Sequence, residues 1–191
     1  MKLVILFLLV SCVWEATEKE KEVLVGRWGN VEYDKHLSDA LDLYGQDLMK
    51  AKPIDCAEFN CIQDTKKFWF NVITEIARWE SGYKAETSYK ESFKDQKGEY
   101  VYSRGLLQLS IESGKGYGCP FKVAQDVHDP KLNLECGVRI LNRWVVRDNR
   151  IAGKDGDQWK GGARYWSVLR GVSDRGKKAL AAIKEINKGA L

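Results

Sequence analysis

The chain reads as a mainly α protein of the α+β class with one small β-hairpin, and three observations carry that reading. Apolar residues recur at helical spacing through Leu37, Leu41, Tyr44 and Leu48, through Phe68, Val72, Ile73, Ile76 and Ala77, and again across Leu134–Val146. Strict alternation is confined to Tyr89, Glu91 and Phe93 and then Tyr100-Val101-Tyr102, with the turn sequence Asp95-Gln96-Lys97-Gly98 between them. At 191 residues, 44% hydrophobic and 30% charged, the chain is long enough for one well-formed core behind a processed N-terminus. The net charge of +4 favours a mildly anionic partner, but the basic residues are interleaved with acidic ones, which argues against nucleic acid.

Lys2 and the unbroken apolar run Leu3–Val10 fit a signal peptide over residues 1–11, too short to span a bilayer. Leu9-Val10-Ser11-Cys12 resembles the lipobox of bacterial lipoproteins. That resemblance implies acylation of Cys12 and a membrane anchor at the N-terminus. Residues 12–33 then serve as tether and lead-in. Residues 15–22 are charged and lack aromatics, and Val23–Trp28 is either a short strand or a docked segment. The folded domain is placed at 34–191.

Within it, Asp34 is the expected N-cap of a helix running to Ala51, with Pro53 beyond its end. Residues 54–63 form a cysteine-bearing loop, and a second helix runs from near Asp64 to Glu80. The hairpin follows. Gly114, Gly116 and Gly118 mark a loop closed by Cys119-Pro120, and Leu134–Val146 is a strong helix. The glycine-rich stretch 149–162 reads as loop, Ala163–Leu169 as helix, and Lys177–Ile186 as a terminal helix. Gly171–Lys178 approaches a phosphate-binding loop but lacks the Ser/Thr that would hold Mg²⁺.

Apart from Cys12, the cysteines are Cys56, Cys61, Cys119 and Cys136, an even number that implies two disulfides in an exported chain. Three connectivities are open, of which Cys56–Cys61 with Cys119–Cys136 is preferred. Zinc is disfavoured because there is no Cys-x-x-Cys pair, and His36 and His128 stand at no ligand spacing. No cofactor is called for.

The residue of greatest chemical interest is Glu80, at the end of the apolar helix and followed by Ser81-Gly82-Tyr83. A carboxyl at the edge of an apolar face loses hydration, which raises its pKa and readies it to donate a proton. Glu80-Ser81-Gly82-Tyr83 resembles the Glu-Ser-x-aromatic signature of lytic transglycosylases and goose-type lysozymes. Gly105-Leu106-Leu107-Gln108-Leu109 is similar to their Gly-Leu-Met-Gln motif, with Leu107 replacing the methionine. Asp129-Pro130, Asn133-Leu134 and Gly137–Leu141 resemble their next helix entry, and Ala163-Arg164-Tyr165 stands where they have Ala-Tyr-Asn, with Trp166 replacing the asparagine. The resemblance spans residues 68–170, about half the chain.

This resemblance implies a lysozyme-like fold, with the hairpin as one wall of a sugar-binding cleft beside the catalytic helix. It implies cleavage of the MurNAc–GlcNAc β-1,4 bond of peptidoglycan, with Glu80 as general acid and base and Tyr165 supporting it. Tyr83, Ser103, Gly105, Gln108 and Trp166 form the implied substrate-binding set, Trp166 as a stacking platform. Glu91 is the one hairpin carboxylate early enough on its strand to face the cleft as a second acid. With Glu80 the only carboxylate matching a motif, the expectation is non-hydrolytic cleavage to 1,6-anhydromuramyl products. The alternatives are a hydrolytic muramidase and a non-catalytic glycan-binding lipoprotein. The expected protein is an exported or lipid-anchored monomer whose partners are glycan strands and the membrane.

Overall fold

The computed structural model describes residues 23–61 and 65–188. The signal peptide, Cys12 and the tether up to residue 22 lie outside the described residues, as does Asp64.

The molecule is organised on helix α4, Thr65–Ser81, which buries an unbroken run from Phe68 to Ala77. A helix covered this completely belongs at the centre of a core. It packs against α1 (Val31–Tyr44), α2 (Gln46–Lys50) and α8 (Asp174–Lys188). The second long helix, α7 (Pro130–Asp148), lies along α1 and α2. Asp129 caps it by accepting from the Leu132 N–H at 2.9 Å, and Pro130 occupies its first turn, where no amide donor is needed. Shorter helices complete the set: α3 (Cys56–Phe59), α5 (Ile111–Lys115) and α6 (Ala124–His128).

Two antiparallel hairpins make the class α+β. The expected one pairs β1 (Ser88–Lys94) with β2 (Tyr100–Arg104). The other pairs β3 (Ala152–Asp155) with β4 (Gln158–Gly161), inside the stretch expected to be loop. Its two-residue turn, Gly156-Asp157, opens with Gly156 at φ 54°, the left-handed geometry such a turn requires.

Three helical expectations change. Asp34 does not cap α1: Asn30 does, its side-chain oxygen accepting from the Glu32 and Tyr33 N–H groups. Asp34 is buried instead and accepts from the Gly26 N–H at 2.7 Å and the Trp28 indole at 2.6 Å. Those bonds dock Val23–Trp28 onto the domain without making it a strand, so the folded unit begins ahead of residue 34. The helix expected over 34–51 breaks at Gly45 into α1 and α2. Ala163–Leu169 forms two 3-10 turns rather than an α-helix.

Disulfides join Cys56 to Cys61 and Cys119 to Cys136, the preferred pairing. No helix among the described residues is long and apolar enough to cross a membrane.

Candidate active site

Four pieces of chain converge on a cleft of about 690 Å³. The last turn of α4 brings Glu80. The β1–β2 hairpin supplies one wall with Tyr89, Glu91, Phe93, Val101 and Ser103. The segment 108–113 supplies the floor. Opposite stand Tyr165, Trp166 and Arg170, with Arg175 from the first turn of α8.

Glu80 is largely withdrawn from water, and this burial pushes its pKa from 4.5 up to about 7. Arg175 pulls the value down and the negative charge of Glu91 pulls it up, both less strongly than burial. Among the described residues Glu80 forms no hydrogen bond and no ion pair, so its proton is available to a ligand in the cleft.

Glu91 reaches the cleft through an irregularity in the hairpin. The register runs Lys90 to Tyr102 and then Lys94 to Tyr100, leaving three residues of β1 opposite one of β2. Such a bulge bends a strand and re-aims its side chains, and bulges recur beside active sites. Here it carries Glu91 and Phe93. Ser103, across the hairpin, donates its hydroxyl to Glu91 Oε1 at 2.5 Å.

The other expected residues divide. Tyr165 borders the cleft, but its hydroxyl bonds Ser113 Oγ at 2.7 Å; burial pushes its pKa up to about 12. Ser103 and Gln108 line the cleft. Gln108 spends its amide nitrogen on backbone carbonyls, those of Thr87 at 3.1 Å and Gly105 at 2.9 Å. Trp166 touches the cleft but is only 2% exposed, and its indole donates to the Leu107 carbonyl at 3.0 Å, so its ring is core rather than a stacking platform. Tyr83 is outside the cleft lining. Residues Gly82 and Tyr83 both have positive φ, at 62° and 68°, and this turn carries the ring against Trp28 with a centroid distance of 6.1 Å. Gly105 is also outside it. At φ 76°, a Cβ there would collide with Asn133 and the Val127 carbonyl, so glycine serves the packing against α7.

Among the cleft residues that sequence reasoning missed are Tyr89, Phe93, Arg170 and Arg175. The first two were within reach, because side chains two apart on a strand share a face and Glu91 lies between them. Both are largely exposed, at 63% and 57%, an apolar expanse that a flat ligand can cover.

Solved structures of Bd0314 DslA, a Bdellovibrio protein, are similar to this chain. The wild-type form is 44% identical, with a TM-score of 0.78 over 84% of this chain and 94% of that one. Two further structures, each 43% identical over the same shares and at the same TM-score, are variants with one glutamate replaced by glutamine. The two substituted positions differ by 11, and Glu80 and Glu91 are likewise 11 apart here. Exchanging a glutamate for its neutral isostere is a change aimed at proton chemistry, which suggests an enzyme. The chain matches no protein-family model and no curated protein.

Proposed function

The chain belongs to the family of DslA, and from that premise we propose that it is a glycosidase cleaving the MurNAc–GlcNAc bond of peptidoglycan by hydrolysis on a lysozyme-like scaffold. The observation that carries this reading is a pair of carboxylates in one cleft with opposed environments. Glu80, uncharged below about pH 7, is the general acid that protonates the leaving oxygen. Glu91, its Oε1 held by the Ser103 hydroxyl, faces the same cleft. It supplies the second carboxylate that activates water or steadies the positive charge developing on the sugar.

This reading departs from the expectation of anhydro products, which rested on a solitary acid. A single residue suffices when the muramyl 6-hydroxyl is the nucleophile, since that group is already at high effective concentration. With Glu91 in the cleft, water can be the nucleophile instead. The peptidoglycan bond itself is supported by the resemblance of residues 68–170. Two disulfides agree with export, and the lipid anchor at Cys12 and the monomeric state belong to the same proposal.

Digesting purified sacculi and weighing the muropeptides tests it. Hydrolysis leaves reducing ends heavier by one water than anhydro ends, and Glu91→Ala abolishes their formation. Anhydro products that persist in Glu91→Ala would assign the single-acid, non-hydrolytic route.

A further inference from the structure

Arg175 has no explanation in the fold. It stands in the first turn of α8, exposed, on the wall of the cleft that holds Glu80 and Glu91. Among the described residues it makes no hydrogen bond and no ion pair. A cation in the first turn opposes the helix macrodipole, whose positive end lies there, so α8 would be better served by almost any other residue. Nor does the general acid benefit: the field of Arg175 favours the ionised form of Glu80, against the need to keep its proton. The nearby Arg170 is different. Its Nε donates to the Ala163 carbonyl at 3.0 Å and its Nη2 to that of Arg164 at 3.3 Å, which fixes it as a brace between the 3-10 turns.

Besides Arg175, the cleft presents to its ligand the carboxylate of Glu91, the acid Glu80 that keeps its proton up to about pH 7, and an Arg170 already spent on backbone carbonyls. A neutral glycan meets no repulsion there, but a glycan carrying its own carboxylate does. A free guanidinium offsets that repulsion and offers a planar fork matched to carboxylate geometry. Resting on the glycosidase reading above, we propose that Arg175 is a subsite for a carboxylate carried by the glycan strand, so that the cleft prefers anionic glycan over a neutral one. The carboxylate has two sources. On a peptide-free muramyl residue it is the lactyl group; on a peptide-bearing strand the lactyl group is an amide and the carboxylates belong to the peptide.

Binding rather than turnover tests this, in full-length Glu80→Gln protein, whose neutral side chain mimics the protonated acid and leaves the ligand intact. Three probes are titrated calorimetrically: a neutral N-acetylglucosamine oligosaccharide, a peptide-free muramyl strand and a peptide-bearing strand. Adding Arg175→Gln weakens the anionic probe by roughly tenfold or more and leaves the neutral one unchanged, and Arg175→Lys recovers part of the loss. Loss confined to the peptide-free strand identifies the lactyl carboxylate; loss confined to the peptide-bearing strand identifies the peptide. Equal loss on all three probes, or none on any, overturns the proposal. If Glu80→Gln protein with Arg175 intact binds no probe, the glycosidase reading fails first, an outcome separate from tight binding that ignores Arg175.

Discussion

Two glutamates five residues apart on α4 show how one helix treats the same side chain in opposite ways. Glu75 is fully buried, and arginines approach it from two sides, Arg27 at 3.5 Å and Arg78 at 3.4 Å. Its charge is taken out of water and compensated. Glu80, at the end of the same helix, keeps partial access to solvent and has no ion-pair partner among the described residues. It remains a titrating group because burial outweighs the field of Arg175 and favours its protonated form. The difference separates a carboxylate that serves the fold from one that serves chemistry, and it is set by what the neighbouring segments bring. The lead-in before α1 carries Arg27 to Glu75. The hairpin and α8 bring Glu80 the opposing fields of Glu91 and Arg175, both weaker than its burial.

The comparison is broken most directly at Glu80. Glu80→Gln is expected to lower sacculus hydrolysis by about two to four orders of magnitude, the usual contribution of a general acid. Glu75→Gln, if folded, should stay within a few-fold of wild type. In the wild type the activity falls as pH rises through about 7, where Glu80 loses its proton. A rate–pH profile flat from pH 5 to 9, or substantial turnover by Glu80→Gln, would remove Glu80 from the acid role.

Stability should fall over the same rise in pH. With a folded pKa of about 7 against an ordinary 4.5, Glu80 is protonated in the folded protein over a window where the unfolded chain has released the proton. Folding therefore takes up a proton there, and wild-type stability declines as pH rises from 4.5 to 7, by at most about 3 kcal/mol. Glu80→Gln lacks this titration and should be the more stable protein at pH 8 relative to pH 4. Glu75→Gln should lose about 2 kcal/mol, less than a fully buried pair would, because both arginines keep much of their hydration. Urea titrations of the three proteins at pH 4 and pH 8 read both effects. A Glu80→Gln variant whose stability follows pH as the wild type does would place the coupling elsewhere.

How much of this could be read beforehand depended on the range of the interaction. The Glu80 helix and the hairpin announce themselves through local periodicity, 3.6 in one and 2 in the other. Glu91 stands out by its early place on the strand, while the bulge that aims it is not legible in the sequence. The floor at Gln108 came from a motif. Misplacements arose where a residue's role is set by a partner far along the chain. Gly105 is required by Asn133 and Val127, and Asp34 is committed to Gly26 and Trp28 rather than to a helix cap. Tyr83 turns away because two consecutive left-handed residues reverse the backbone after α4, a geometry that a signature aromatic does not disclose. Arg175 reaches the cleft because α8 packs on α4, and nothing in the 94 residues between Glu80 and Arg175 foretells that meeting.

The smallest effect expected is at Ser103, and it sharpens the same contrast, because Glu91 is a carboxylate held by one neutral donor rather than by arginines. The Ser103 hydroxyl fixes one oxygen of Glu91 across the bulge and does not itself compensate the charge. Ser103→Ala releases that oxygen, but Glu91 is partly exposed and water can take the vacated bond, so most of the hydrogen-bond energy is recovered. Hydrolysis should fall by about threefold to tenfold through kcat, with KM nearly constant, since what is lost is the aim of the carboxylate at the reacting centre rather than ligand contact. Thermal stability should change little. Ser103→Thr, which keeps the hydroxyl, should restore the rate. If the threonine variant is as slow as the alanine one while both melt with the wild type, Ser103 acts through the shape of the hairpin and not through its bond to Glu91.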